Sequence, residues 1–294
     1  MRVAFLGLGA IGAPMAEHLA KAPFKLTVWN RSGEKARAFA LKHRVTAAAT
    51  PQDAVRDAEV IVTCLPSSRE VKEVIMRDDV VAAISHGATH VDCTSGDPAT
   101  SRQIARSLDQ HGIQFIDAPV SGGVKGAVAG NLTIMCGGSE ADIQRVRAVL
   151  SAFGEKIVRC GEIGTGDAVK AMNQALLAIH IWSAGEALAA LAKLGVDASV
   201  ALDVINGSSG RSNSSQNLFP ERVLGRAFPR TFKLALLDKD VAIAAGVASD
   251  AGVEAPFIEL AANLFADAHQ LLGEEADHVE AVKVIESKAG VVIG

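Results

Sequence analysis

Residues 1–31 constrain this chain more than any other stretch. The apolar run Met1-Arg2-Val3-Ala4-Phe5-Leu6 reads as a buried strand and leads directly into Gly7-Leu8-Gly9-Ala10-Ile11-Gly12. Met15, Ala16, Leu19 and Ala20 then recur at helical spacing, and a second apolar run over residues 25–29 closes in Asn30-Arg31. Each glycine has a separate task. Gly7 permits the turn, Gly9 lets the backbone approach a ligand, and Gly12 lets the helix pack close on the strand. The N–H groups at the start of the helix then face a phosphate. A lone G-x-G-x-x-G is a common turn. With a strand before it, a helix after it and a second strand beyond, it is the fingerprint of dinucleotide binding, with Leu8, Ala10 and Ile11 in the cradle.

The end of the second strand bears on which dinucleotide. An NAD site places a carboxylate there to hold the ribose 2′-hydroxyl. This chain has Asn30-Arg31-Ser32 instead. A carboxylate would repel a 2′-phosphate, whereas a guanidinium and a small hydroxyl bind it with charge-assisted hydrogen bonds. NADP is therefore expected over NAD, although a solvated loop cation would look the same in sequence.

At 294 residues the chain has room for two domains. A net charge of −4 gives no broad cationic face, so no nucleic-acid partner is expected. Cys64, Cys93, Cys136 and Cys160 are far apart and three of them end apolar runs, which reads as buried free thiols in a reducing cytoplasm. No His, Cys and carboxylate cluster marks a metal site. The fingerprint begins at Met1, so no targeting segment is expected ahead of it. Residues 168–194 are apolar enough to suggest a membrane span. They nevertheless carry Lys170, Asn173, Gln174, His180 and Glu186, which are expensive in lipid, so a helix buried in the protein or at a subunit interface is expected.

Strand-like runs at residues 60–65, 90–93, 114–116, 132–136 and 157–160 alternate with helical stretches at 70–76, 99–111 and 140–153. This alternation predicts an α/β fold, a Rossmann-type doubly wound, mostly parallel sheet. Beyond Gly164 the pattern turns helical, apart from a strand-like Val291-Val292-Ile293. The expected division is a dinucleotide-binding domain over 1–163 and an all-helical substrate and oligomerisation domain over 164–294. A single helix about 45 Å long over 165–194 joins them.

Ligands of such sheets lie beyond the carboxyl ends of the strands. Leu65-Pro66, Thr94-Ser95 and Asp117-Ala118-Pro119-Val120-Ser121-Gly122-Gly123 all fall there. Ser121 with two glycines offers a hydroxyl and successive N–H groups, a nest for a small carboxylate, or simply a turn. Lys170, Asn173 and Gln174 follow at helical spacings of three and four and share one face. Lys170 is either a snorkelling lysine or a proton-transfer group able to donate to a carbonyl or stabilise an alkoxide. Gly166, one turn earlier, is expected to leave space for a flat nicotinamide ring.

Four spaced motifs then carry a resemblance over nearly the whole chain. They are G-L-G-A-I-G-A-P-M-A from Gly7, D-A-P-V-S-G-G from Asp117, G-T-G-D-A-V-K-A-M-N-Q from Gly164 and L-D-K-D from Leu237. The chain resembles the β-hydroxyacid dehydrogenase family, and within it the branch acting on 3-hydroxyisobutyrate in valine breakdown. The resemblance implies that Lys170 is the catalytic acid/base, with Asn173 orienting the substrate, aided by Gln174. It implies that Ser121, Gly122 and Gly123 bind the substrate carboxylate, and that Leu65, Pro66, Ser95 and Lys239 contact the cofactor. Hydride would pass between a small 3-hydroxy acid and NAD(P). The apolar long helix, for its part, suggests a homodimer or homotetramer. Glyoxylate, succinic semialdehyde and tartronate semialdehyde reductases share these motifs, and a non-catalytic dinucleotide sensor is the alternative of another class. Members often show Asp-x-Ser-Ala near the C-terminus, where this chain has Asp277-His278-Val279-Glu280-Ala281.

Overall fold

The computed structural model describes residues 1–294 and divides into two compact units, Met1–Lys170 and Ala171–Gly294. The first unit holds a nine-stranded sheet: β1 (Arg2–Leu6), β2 (Lys25–Trp29), β3 (Thr46–Ala47), β4 (Val60–Thr63), β5 (Thr89–Asp92), β6 (Gln114–Asp117), β7 (Val120–Ser121), β8 (Leu132–Gly137) and β9 (Gly154–Gly161). Their order is β3-β2-β1-β4-β5-β6-β8-β7, with β9 on β8. The six strands from β3 to β6 run parallel, and β8 lies antiparallel to β6 through Asp117 and Gly137. Because β1 pairs with β2 on one side and β4 on the other, the order reverses beside β1. That reversal opens the crevice where ligands of doubly wound sheets bind, and the glycine turn follows β1 into it.

Both faces of the sheet are covered, as near-continuous apolar strands require. Val3 and Phe5 of β1, with Val60 and Val62 of β4, enter one core. Ala4, Leu6 and Ile61 alternate into the other. The expected helices appear at Ser68–Ile75, Pro98–Asp109 and Glu140–Leu150, started by Ser67, Asp97 and Ser139 side chains that accept backbone N–H bonds. The two-residue strands β3 and β7 lie outside the sequence reading, because two residues show no alternation. Of the thiols, Cys93 and Cys136 are buried, but Cys64 and Cys160 are partly open, which corrects the expectation that most are sealed in the core.

The second unit is helical around one core. Its lead element is the Thr165–Lys193 helix, 29 residues long, which begins in the first unit. Ala171, Ala175, Ala178, Ile181 and Leu188 of that helix enter the core together with Leu237, Val241, Phe265 and Val282. A Cβ on Gly185 would stand 2.7 Å from Ile285 Cδ1, so glycine there allows close helix packing. The helix is long and apolar enough to cross a membrane, but these residues give it a protein core to face. Residues 291–293 form no strand: Ile293 is fully buried and Val291 packs against the same core, while Val292 is exposed.

Candidate active site

The glycine turn is built as its spacing demands. Gly7 has φ +108°, and a Cβ there would lie 2.2 Å from the Cys64 carbonyl oxygen. One on Gly12 would lie 2.1 Å from the Gly7 oxygen, whereas one on Gly9 would meet nothing within 4 Å. Gly9 therefore faces open space, and Gly9 and Ala10 are exposed. The Gly12–Lys21 helix has no side-chain cap at its start and no acidic residue in its first turn, so its positive end stays available to an anion.

Asn30, expected at the ribose, turns inward. Its Oδ1 accepts the Leu8 N–H at 2.9 Å and its Nδ2 donates to the Ser32 carbonyl at 3.2 Å. It braces the glycine loop. Arg31 and Ser32 are exposed, and the Ser32 hydroxyl makes no cap bond although it heads the Gly33–His43 helix. Arg37, overlooked in the sequence, folds back over this helix start: its Nη1 lies 3.1 Å from where a Cβ on Gly33 would stand. Its signal was a cation one turn beyond Gly33. A cleft of about 540 Å³ lined by Leu8, Gly9, Ala13, Lys35 and Lys42 adjoins this region.

The loops after β4 and β5 are tied together. Thr94 Oγ1 accepts the Leu65 N–H at 3.0 Å, and Asp92 Oδ1 accepts from Thr63 Oγ1 at 2.8 Å and from the Thr94 N–H at 3.0 Å. Pro66 is exposed and Ser95 half-buried on these fixed loops. After β6, Ser121 in β7 pairs with Thr133 of β8, and Gly122 and Gly123 follow at φ +135° and +62°. Both glycines are exposed, so no side chain hoods their N–H groups.

The turn bearing Lys170 rests on buried carboxylates. Asp117 Oδ1 accepts the Gly164 N–H at 2.7 Å and Oδ2 accepts the Asp167 N–H at 3.0 Å. Burial nevertheless pushes the Asp117 carboxyl up to about 6. Asp167 is also raised, by burial and then by the charge of Asp117. Gly166 does not make room for a cofactor ring. A Cβ there would lie 2.2 Å from the Met135 carbonyl oxygen and 2.8 Å from Asp117 Oδ2, so its missing side chain serves helix-on-sheet packing. Lys170 is itself buried.

In the second unit, Asn173 Nδ2 donates to Gln174 Oε1 at 3.2 Å, and Gln174 Nε2 donates to Asp240 Oδ2 at 3.0 Å. Lys239 Nζ pairs with Asp240 Oδ1 at 2.9 Å. Asp240, read in the sequence only as a motif letter, is thus the buried acceptor joining the amide pair to Lys239. Asp277 is also a hub. It accepts N–H bonds from Thr231, Phe232 and Val279 and ion-pairs with Arg222 at 3.1 Å. Burial works to raise the Asp277 carboxyl, but His278 and the backbone donors outweigh it and hold it well below the usual range.

Residues 2–161 match the family model described as the NAD binding domain of 6-phosphogluconate dehydrogenase. Residues 164–285 match the one described as NAD-binding of NADP-dependent 3-hydroxyisobutyrate dehydrogenase. The chain belongs to the β-hydroxyacid dehydrogenase family. It is 33% identical to the 2-(hydroxymethyl)glutarate dehydrogenase of Eubacterium barkeri, over 100% of this chain and 97% of that one. It is 34% identical to the mitochondrial 3-hydroxyisobutyrate dehydrogenase of Drosophila melanogaster, over 90% of this chain and 82% of that one. Among solved structures, the Mycobacterium tuberculosis 3-hydroxyisobutyrate dehydrogenase with L-serine superimposes with TM-score 0.88 at 31% identity, over 97% of this chain and 98% of that one.

This β-hydroxyacid dehydrogenase is therefore an NAD(P)-dependent oxidoreductase acting on CH–OH groups. Its own residues fit that cofactor: the open space at Gly9, the uncapped helix start and the glycines packed on either side form a pyrophosphate cradle. The same unit also holds the Ser121-Gly122-Gly123 turn and the buried Lys170.

Proposed function

We propose that this dehydrogenase oxidises a 3-hydroxypropanoate carrying a substituent at C2, 3-hydroxyisobutyrate first among them, with NADP preferred over NAD. The observation that carries the reading is Lys170, a buried lysine on the helix face that also bears Asn173 and Gln174. The substrates named for the relatives, 3-hydroxyisobutyrate and 2-(hydroxymethyl)glutarate, both place a hydroxymethyl group on the carbon that bears a carboxylate, and L-serine does the same. They differ in the substituent: methyl, carboxyethyl or amino.

In this reading Ser121, Gly122 and Gly123 hold the shared carboxylate through the hydroxyl and adjacent N–H groups. Lys170, as the neutral amine, takes the hydroxyl proton during oxidation. As the ammonium it returns a proton to the carbonyl in the reverse direction. Asn173, bonded to Gln174 and through it to Asp240, is assigned to orienting the substrate, and Lys239 to contacting the cofactor. When bound, the nicotinamide supplies the hydride acceptor. Arg31, Ser32 and Arg37 favour a 2′-phosphate over a bare ribose, with Asn30 holding the loop beneath them.

A steady-state screen of 3-hydroxyisobutyrate, L-serine and 2-(hydroxymethyl)glutarate with oxidised NAD and NADP, and of glyoxylate, succinic semialdehyde and tartronate semialdehyde with the reduced cofactors, tests this. The highest kcat/KM is expected for 3-hydroxyisobutyrate with NADP. A preference for glyoxylate or succinic semialdehyde, which lack the hydroxymethyl carboxylate unit, would overturn the substrate class.

A further inference from the structure

Two buried carboxylates fasten the turn that carries Lys170 to the sheet. Asp167 lies one helical turn before Lys170 and is 1% exposed. Its Oδ1 accepts the Gly96 N–H at 3.1 Å and its Oδ2 accepts the Ser101 hydroxyl at 2.6 Å. Its own backbone N–H goes the other way, to Asp117 at the end of β6. One residue is thus held at its main chain by the strand that leads to the Ser121 loop, and at its side chain by the loop that carries Ser95 and the helix that follows it.

Three glycines make this approach possible. A Cβ on Gly96 would stand 3.1 Å from the Asp167 carboxylate, and Cβ atoms on Gly137 and Gly166 would stand 2.4 Å and 2.8 Å from that of Asp117. Starting a helix does not require this. A serine or asparagine cap supplies an acceptor without burying charge, and burying a carboxylate is costly unless hydrogen bonds offset it. Asp117 takes both its donors from the Gly164–Asp167 turn, and Asp167 takes one from the Ser95-Gly96 loop and one from the helix that follows, so the pair makes a rigid joint at a place where rigidity matters to chemistry.

We propose that Asp167 and Asp117 are positioning residues for Lys170, fixing the depth and direction of its helical turn against the Ser95-Gly96 loop and the end of β6. The proposal rests on Lys170 being the acid/base. Neither carboxylate meets the substrate; both act through the lysine. A displacement of about 1 Å at a reacting group costs on the order of 10²-fold in rate, so a joint of this kind governs kcat.

The test uses full-length Asp167→Asn, Ser101→Ala and Lys170→Ala, assayed with 3-hydroxyisobutyrate, or with whichever substrate of the screen turns over. Hydrogen exchange is followed on amides 165–170 and on the Gly12–Lys21 helix. For Asp167→Asn, kcat is expected to fall at least about 30-fold with NADP affinity within about twofold of wild type, and amides 165–170 to exchange faster while residues 12–21 do not. Ser101→Ala removes one donor and should show the same pattern with a drop of about fivefold. It also serves if Asp167→Asn does not fold. Faster exchange with kcat within twofold, or lost kcat with exchange unchanged, overturns the positioning role while a dead Lys170→Ala leaves the acid/base reading standing. Near-normal turnover in Lys170→Ala sinks that reading first, and this proposal with it.

Discussion

Lys170 is a buried lysine near the start of its helix, and truncating it is the most direct probe of the chemistry. Lys170→Ala is expected to lower kcat at least about 10²-fold with cofactor affinity nearly intact, as separate turnover and binding titrations would show. Ser121→Ala should act on KM for the acid instead, since its hydroxyl is assigned to the carboxylate. A change confined to kcat would contradict that role. At the adenosine end, removing Arg31 should weaken NADP by about 1.5–3 kcal/mol and NAD scarcely at all. Asn30→Asp with Arg31→Ala should invert the preference in kcat/KM, because an aspartate still accepts the Leu8 N–H and adds a carboxylate for a free ribose. Equal weakening of both cofactors by Arg31→Ala would make Arg31 an ordinary surface cation. These residues were legible because glycines, a helical K-x-x-N-Q and a strand-end N-R-S have fixed spacing. Arg37 and Asp240 were not: nothing in their immediate neighbours shows that one folds over a helix start and the other accepts from Gln174.

At the level of elements, strands and helices of ordinary length showed in the sequence through their periodicity, and Thr165–Lys193 through its unbroken apolar character. What did not show was contact between segments distant in sequence. Gly166 looked like a gap for a ring and is a contact with β8, because its neighbour is Met135, 31 residues earlier. The Ser214–Leu224 segment winds as a π-helix with Pro220 inside, and no 3.6-residue pattern announces it. The Asp277–Ala281 stretch departs from the family pattern, yet Asp277 joins Arg222, Thr231 and Phe232 across more than 40 positions. Asp277→Ala should therefore destabilise by about 3–5 kcal/mol in chemical denaturation, since it strands a buried guanidinium. Asp117 makes a pH-dependent prediction. Its folded carboxyl titrates near 6 against an ordinary 3.8, so the folded state gains protons, and stability, as pH falls through 6 toward 4. Asparagine lacks that gain. The stability of wild type relative to Asp117→Asn should rise by about 1.4 kcal/mol between pH 7.5 and 5, and no change would refute the assignment.

For the whole molecule, the apolar surface left exposed along two helices points to self-association. Val169 and Leu176 lie open on the lysine helix, and Phe257, Leu260 and Leu271 on Pro256–Leu272. We expect a solution mass of two or four times 30.5 kDa by sedimentation, with Leu176→Glu or Phe257→Glu shifting it toward the monomer. Another consequence follows from where the lysine's supports lie in the chain. A chimera joined at residue 163, where the two family matches meet, would take Lys170 and Asp167 from one parent and Gly96, Ser101 and Asp117 from the other. The chain looks modular there, but the lysine proposed for proton transfer is a graft expected to take only on matched rootstock: exchanging helical halves to change substrate should succeed when those three sheet-side positions travel with them, and give well-folded, slow enzymes when they do not.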